Sequence, residues 1–335
     1  MPNTPVDPKD KFFKTMDSVV LYLFILGYVY LFVYLVPWIE ILGKDWTDIS
    51  NYIFRIEYLA RGGEEQGITG FISLLFSEYI WKGILLAIGE FFQDYRQGLY
   101  LISYVSLLLY ALFTFKRVHF LLAIALMINP MFVDLVMGQI RIALAFPILL
   151  LAYHYRTYRS LSILLIVIAL FIHAATILFL GIYFLLKVVD YYSEHRSLYF
   201  ISLGLGVVMA LFIKYGVIFL LSIVGDRRAA YADSYQSSSL TFSLPWFIIA
   251  LLLTWKASFD TKEERLITAF SVLMISLFFT VSVLGLYGQR YVAISIPLII
   301  IAIGFMPKHF RHWTWAYLFF YQFLQWKYRV VLTII

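Results

Sequence analysis

Apolar runs about one bilayer-width long alternate with short polar turns along most of the chain. Residues 19–36 form a first run that ends at Pro37-Trp38. Residues 99–115, 120–137, 242–255, 266–286 and 291–306 form further runs, and residues 198–224 read as one long span containing Lys214. Asn129-Pro130 predicts a kink within the 120–137 run. Residues 68–92 are apolar but interrupted by Glu78, Lys82 and Glu90, which predicts an interfacial or re-entrant helix. Residues 313–335 carry Gln322, Gln325, Lys327 and Arg329 and are expected to lie partly at an interface. The tally is roughly 9–11 membrane segments. The chain is thus read as an all-α polytopic integral membrane protein, a single transmembrane domain over 1–335.

Sidedness follows from the basic turns, because Lys and Arg of short loops concentrate on the cytoplasmic face. This places Lys116-Arg117, the Arg156-Thr157-Tyr158-Arg159 turn, 256–265 and 308–311 inside. Residues 1–17, with Lys9, Lys11 and Lys14, read as a cytoplasmic tail rather than a signal peptide. Residues 39–97 become an extracytoplasmic segment with an interfacial helix, and 226–243 an extracytoplasmic loop. Residues 161–186 are either one tilted span or an outward helix that breaks near His173 and returns. Only the return keeps the later basic clusters inside, so a return is expected.

Composition agrees. The 335 residues are 62% hydrophobic and 14% charged, a balance no soluble domain of this length needs. The 31 Phe and 26 Tyr suit helix packing and interfacial belts, leaving no separate soluble domain in view. A net charge of +6 reflects the basic loops and does not imply nucleic acid. With no cysteine, thiolate chemistry and Cys-based metal sites are excluded. No Walker-type loop, Gly-x-Ser-x-Gly elbow or metal-ligand spacing is present.

Chemistry is expected where charge enters apolar sequence. An arginine at mid-helix costs roughly 2.5–3.5 kcal/mol on insertion scales, so function is the default reading of Arg141. Arg141 lies 15 residues before Arg156, and His173 lies 14 residues after Arg159. At 1.5 Å per residue these are about 22 and 21 Å from the cytoplasmic face, so two antiparallel helices present both groups at one depth. Gly138-Gln139-Ile140-Arg141 and Gly288-Gln289-Arg290 each open an apolar helix. A helix N-terminus with a guanidinium and a glycine that admits an anion to the backbone makes a phosphate site sensible, with Gln139 and Gln289 beside it. The bland alternative for each arginine is head-group anchoring. Arg227 and Arg228 are candidates for a lid over a charged substrate, or simply a solvated pair. His173 is a candidate proton acceptor or phosphate donor, against a plain interhelical hydrogen bond. Asp48 and Glu78 are candidate bases or sugar-hydroxyl partners, against solvated surface charges. Asp134, one turn before Gly138, is a candidate partner for Arg141.

The run Gln139-Ile140-Arg141-Ile142-Ala143-Leu144-Ala145, followed by Leu170-Phe171-Ile172-His173-Ala174-Ala175, resembles the EpsG/Wzy-type polysaccharide polymerases of bacterial inner membranes. Weaker echoes lie at Asp48–Tyr52, Glu78-Tyr79 and Gly288-Gln289-Arg290. The resemblance implies a GT-C-like glycosyltransferase at the periplasmic face of the inner membrane. It would join undecaprenyl-diphosphate-linked oligosaccharide repeats and release undecaprenyl diphosphate, a step for which no nucleotide or metal cofactor is obligatory. Lipid-linked oligosaccharides, membrane lipids and a chain-length regulator are the implied partners. Arg141 and Arg290 would hold the diphosphate, Arg227 and Arg228 would close over it, and His173, Asp48 or Glu78 would serve as base. The rival reading is a flippase or transporter of an anionic lipid-linked glycan, which would need access from both faces. A membrane acyltransferase would need His173 on the cytoplasmic side.

Overall fold

A computed structural model describes residues 18–42, 45–63, 78–193, 196–217, 238–257 and 261–334. Among the described residues about 85% are helical and none lies in a strand. In order, the helices are α1 (Ser18–Tyr30, continued by a wider turn over Leu31–Leu35), α2 (Trp38–Leu42), α3 (Thr47–Ala60), α4 (Tyr79–Phe91) and α5 (Tyr95–Phe115). Then follow α6 (Phe120–Met127), α7 (Pro130–Met137), α8 (Ile140–His154), α9 (Arg159–Ile172) and α10 (Thr176–Tyr192). The last are α11 (Ser197–Leu211, continued over Phe212–Val217), α12 (Leu240–Lys256), α13 (Lys262–Val283), α14 (Gln289–Gly304) and α15 (Lys308–Ile334).

Three stretches, Tyr95–Phe115, Ser197–Gly216 and Lys262–Val283, are long and apolar enough to cross a membrane, and a fourth is if α6 and α7 count as one bent span. This is an all-α architecture with the character of a membrane protein. The shorter apolar helices α8, α12 and α14 pack beside these long ones, α9 packs on α8, and α8, α13 and α14 are buried over most of their length. A helix buried on all sides must be apolar all round, which explains the unbroken runs of Ile, Leu and Phe.

The bundle has two chemically different ends. At the basic end, Lys116 reaches the Tyr22 hydroxyl (2.9 Å), and Glu263 takes Arg117 (3.2 Å) and Arg156 (3.0 Å). Asp190 takes Arg265 there at 3.1 Å. At the far end, Arg96 forks onto both carboxylate oxygens of Asp45, and Trp38 stacks on Trp326 at 5.8 Å. The Arg96 hydrogen bond holds the Asp45 carboxyl below its ordinary range and ties the start of α3 to the start of α5.

The 161–186 run is broken, and it does return. His173 is extended (φ −152°, ψ 115°) and ends α9, and α10 begins three residues later. Down α10, Phe179 meets Phe146 (5.2 Å), Tyr183 meets Tyr153 (5.7 Å), and Asp190 reaches the basic end. Hence α10 descends alongside α8, while α9, between them in the chain, climbs against α8. The short α4 buries Trp81, Leu85 and Ile88 on one face, and its 13 residues span only about 20 Å, too few to cross.

The 120–137 run bends by 77° between α6 and α7. Asn129 caps α7 by accepting from the Met131 amide at 3.0 Å, and Pro130 occupies the first helical position. The carbonyls freed by the bend find partners on α15. Gln322 donates to the Ala125 oxygen (2.8 Å), Trp326 to that of Ile128 (3.0 Å), and Asn129 donates to Gln325 (2.7 Å). Such pairing is obligatory where water is absent. Within 313–335 both glutamines are buried against these partners, and α15 runs from the basic end to Trp38 at the far end.

Helices α11 and α13 run parallel and very close, because Gly206 lies against the α13 backbone. A Cβ there would stand 2.8 Å from the Leu273 oxygen and the Leu277 nitrogen. Ser276 donates across the same contact to the Leu203 oxygen at 2.7 Å. Gly206→Val is expected to cost about 1–3 kcal/mol of stability by forcing the helices apart, read as a lower melting temperature in detergent. Gly204→Val, where a Cβ meets nothing within 4 Å, should leave it unchanged. Equal losses in both would contradict this packing.

Candidate functional site

Helix α8 starts at the far end because α7 stops at Met137 and the chain turns through Gly138 and Gln139. Gly138 is buried against Trp46: a Cβ would lie 2.8 Å from the Asp134 carbonyl oxygen and 3.3 Å from the indole. The turn delivers Arg141 into the first turn of α8. Its Nε donates to the Tyr52 hydroxyl at 3.1 Å, and its Nη1 donates to Glu78 Oε2. Tyr52 is fixed in turn by an edge contact with buried Trp81, ring centroids 5.2 Å apart.

His173 arrives from the neighbouring helix. Its amide still bonds the Ala169 oxygen (3.0 Å), but its carbonyl leaves the helical path and accepts from both the amide (3.0 Å) and hydroxyl (2.7 Å) of Thr176. That local closure holds the imidazole at the break. His173 Nδ1 lies 2.6 Å from Glu78 Oε1. Since an ionised carboxylate can only accept, Nδ1 carries a proton, and in the neutral ring Nε2 is then the acceptor nitrogen.

Glu78 therefore joins the two. Its side chain is 10% exposed, and its backbone is left-handed (φ 48°), the one non-glycine residue with positive φ among those described. Such a conformation costs on the order of 1–3 kcal/mol and persists where the surroundings hold it, here two cationic or proton-donating partners. Burial pushes the Glu78 carboxyl up, but the His173 and Arg141 contacts outweigh this and hold it below the ordinary carboxylate range. The arginine keeps 32% of its side chain exposed and the histidine 22%. The guanidinium Nη2 has no hydrogen-bond partner among the described residues. The cluster thus offers a fixed positive charge and a proton acceptor, both aligned by one buried carboxylate.

The other expected residues fall into place unevenly. Asp48 shares a face of α3 with Tyr52, four residues on, and feels the charges of Arg290 and Arg141. Burial nonetheless pushes its carboxyl above the usual range. The charges of both arginines are thus felt at one carboxylate, which puts the start of α14 in the same region as the start of α8, although neither arginine forms an ion pair with Asp48 among the described residues. Arg290 is exposed, with its guanidinium 5.6 Å from the Tyr287 ring, and Gln289 is half-buried beside it. Gln139 is buried and donates to Asp134 at 3.2 Å. Arg227 and Arg228 lie outside the described residues.

Three expectations need correction. Glu78 is no solvated surface charge. Asp134 bonds Gln139, while Arg141 takes Glu78 and Tyr52 instead. Neither glycine opens the backbone to an anion: Gly138 packs on Trp46, and the Gly288 amide is already held by the Ser238 hydroxyl at 2.8 Å. Tyr52 escaped the sequence reading as a ligand of Arg141, although its spacing from Asp48 was a signal.

Removing Glu78 leaves a charge and a ring without their partner. Glu78→Ala is expected to cost about 3 kcal/mol, the low end for a broken buried pair because Arg141 stays partly exposed. The Glu78→Ala/Arg141→Ala double variant should lose less than the sum of the single losses; strict additivity in thermal unfolding would contradict the pairing. Because the folded carboxyl titrates below its unfolded value, this stabilisation is complete above about pH 4.3 and is lost as pH falls further. The pH dependence of melting should therefore flatten at its acid end in Glu78→Gln.

No family model, curated protein or solved structure matches this chain.

Proposed function

We propose that this chain is a membrane glycosyltransferase that lengthens a polysaccharide by joining undecaprenyl-diphosphate-linked oligosaccharide repeats. It would work in the bacterial inner membrane, with the far end of the bundle toward the periplasm. The observation that carries the reading is the Arg141–Glu78–His173 cluster at one end of an apolar helical bundle. The resemblance around Arg141 and His173 supports it, as does the placement of Arg290 toward the same acidic residue, Asp48.

The chemistry needs three things at once. The bond between the anomeric carbon of the donor glycan and its diphosphate oxygen breaks, and the electron pair leaves with undecaprenyl diphosphate. Arg141, through its Nη2, and Arg290 stabilise that charge, an effect strongest where water is scarce. A sugar hydroxyl of the second lipid-linked unit forms the new bond to the anomeric carbon and gives its proton to His173 Nε2. Glu78 keeps the imidazole turned the right way and stabilises the imidazolium that results. Both Glu78 oxygens are engaged, so it acts as a positioning residue and leaves the base role to His173. Asp48 orients the acceptor sugar. A donor whose tail is a polyprenyl chain also suits a site on membrane helices, since the chain can stay in the bilayer while its head is cleaved.

The test is elongation by purified protein in liposomes supplied with defined lipid-linked repeats. Wild type should give a ladder of lengths with release of undecaprenyl diphosphate. His173→Ala is expected to lower the rate by about 10²–10⁴-fold and Arg141→Ala by about 10²–10³-fold, leaving single repeats on the carrier. Glu78→Gln should lower kcat more than it changes KM, and shift the pH profile of the rate. Movement of the substrate between leaflets without elongation would overturn the transferase in favour of a flippase. Full-length polymer from both Arg141→Ala and His173→Ala would remove the assigned roles.

A further inference from the structure

A cavity of about 610 Å³ lies toward the basic end, away from the cluster just described. It is bounded by α8, α9, α10 and α13, and its walls are mainly aliphatic and aromatic. Leu149 and Phe146 of α8, and Phe270 of α13, form its buried back. Its front is the gap between α9 and α10, where the lining residues Ile163 and Phe184 are 52% and 56% exposed. The cavity therefore opens sideways from the bundle rather than along its axis.

Its rim is basic. Arg156, Arg159 and Lys187 all line it. Arg156 is held by Glu263 at 3.0 Å, but Arg159 and Lys187 make no ion pair among the described residues. They stand on either side of the opening, one at the start of α9 and the other near the end of α10. Exposed Tyr155 and Tyr158 flank the same end, as aromatic residues do at the head-group level of a bilayer.

An apolar cavity open to the side of a membrane bundle fills with hydrocarbon, because water gains no hydrogen bonds there. Two cations at its mouth, with no ion pair among the described residues, select a hydrocarbon with an anionic head. Its volume lies within the roughly 300–1,000 Å³ of ordinary ligand pockets. From this we infer that the cavity is a binding site for an anionic phospholipid of the adjacent leaflet. One acyl chain lies between α9 and α10, and the phosphate sits on Arg159 and Lys187. Basic pockets between membrane helices capture anionic lipid heads in this manner. The site is independent of the proposed transfer reaction, whose residues lie at the opposite ends of the same helices.

Native mass spectrometry of the full chain, released from bilayers of phosphatidylcholine with or without phosphatidylglycerol, tests this. Wild type should retain phosphatidylglycerol in preference to phosphatidylcholine. Arg159→Gln/Lys187→Gln is expected to weaken that retention about thirty-fold. Ile166→Trp, which fills the cavity without touching the rim charges, should also abolish it. Retention unchanged in both variants would overturn the site. Loss in the charge variant alone would also overturn it, since that outcome describes surface attraction with no chain inside. A melting temperature within the wild-type range in phosphatidylcholine alone shows that each variant is folded.

Discussion

A single buried carboxylate decides how the far end of this protein is built. Glu78 bonds a guanidinium on one side and an imidazole on the other, and each partner comes from a different helix. Neither the carboxylate nor the guanidinium could remain in an apolar bundle by itself, because an unpaired charge there costs more than the packing around it returns. Together they neutralise each other and, with the imidazole, fix three elements, α4, α8 and α9, at one level. The left-handed backbone of Glu78 and the helix break at His173 are the local distortions that this closure maintains.

The rest of the fold repeats the same rule with uncharged groups. Where α6 and α7 bend apart, Gln322 and Trp326 of α15 donate to the exposed carbonyls, and Gln325 accepts from the Asn129 side chain. Where α13 ends, Lys214 donates to the Leu284 oxygen at 3.1 Å. These polar side chains lie inside the bundle because a broken helix in an apolar medium must satisfy its backbone from neighbouring helices. Irregular backbone therefore gathers at the far end, which is also where charge is available for chemistry.

Much of this was legible in the chain itself. Arg141 and His173 stood out because each interrupts an apolar run, and counting from the basic turn put them at one depth. The return at His173 followed from charge parity alone, since the basic clusters had to share an end. What could not be read was the third partner. Glu78 lies 63 residues from Arg141 and 95 from His173, and nothing local distinguishes it from Glu90 on the same short helix. The glycines misled for a related reason. Their missing side chains accommodate Trp46 and residues of α13, contacts that only the tertiary packing creates. The burial of the α15 glutamines was not legible either, because their partners on the bent segment, the Ala125 carbonyl for Gln322 and the Asn129 side chain for Gln325, leave no mark on the α15 sequence.

The most direct measurement is binding of undecaprenyl diphosphate, the proposed leaving group, to the purified protein across a salt series. A guanidinium held ready for that charge implies saturable binding to wild type that weakens as salt rises, and that Arg141→Ala reduces at least tenfold. Equal binding by wild type and Arg141→Ala, or none to either, would contradict a diphosphate site at this cluster.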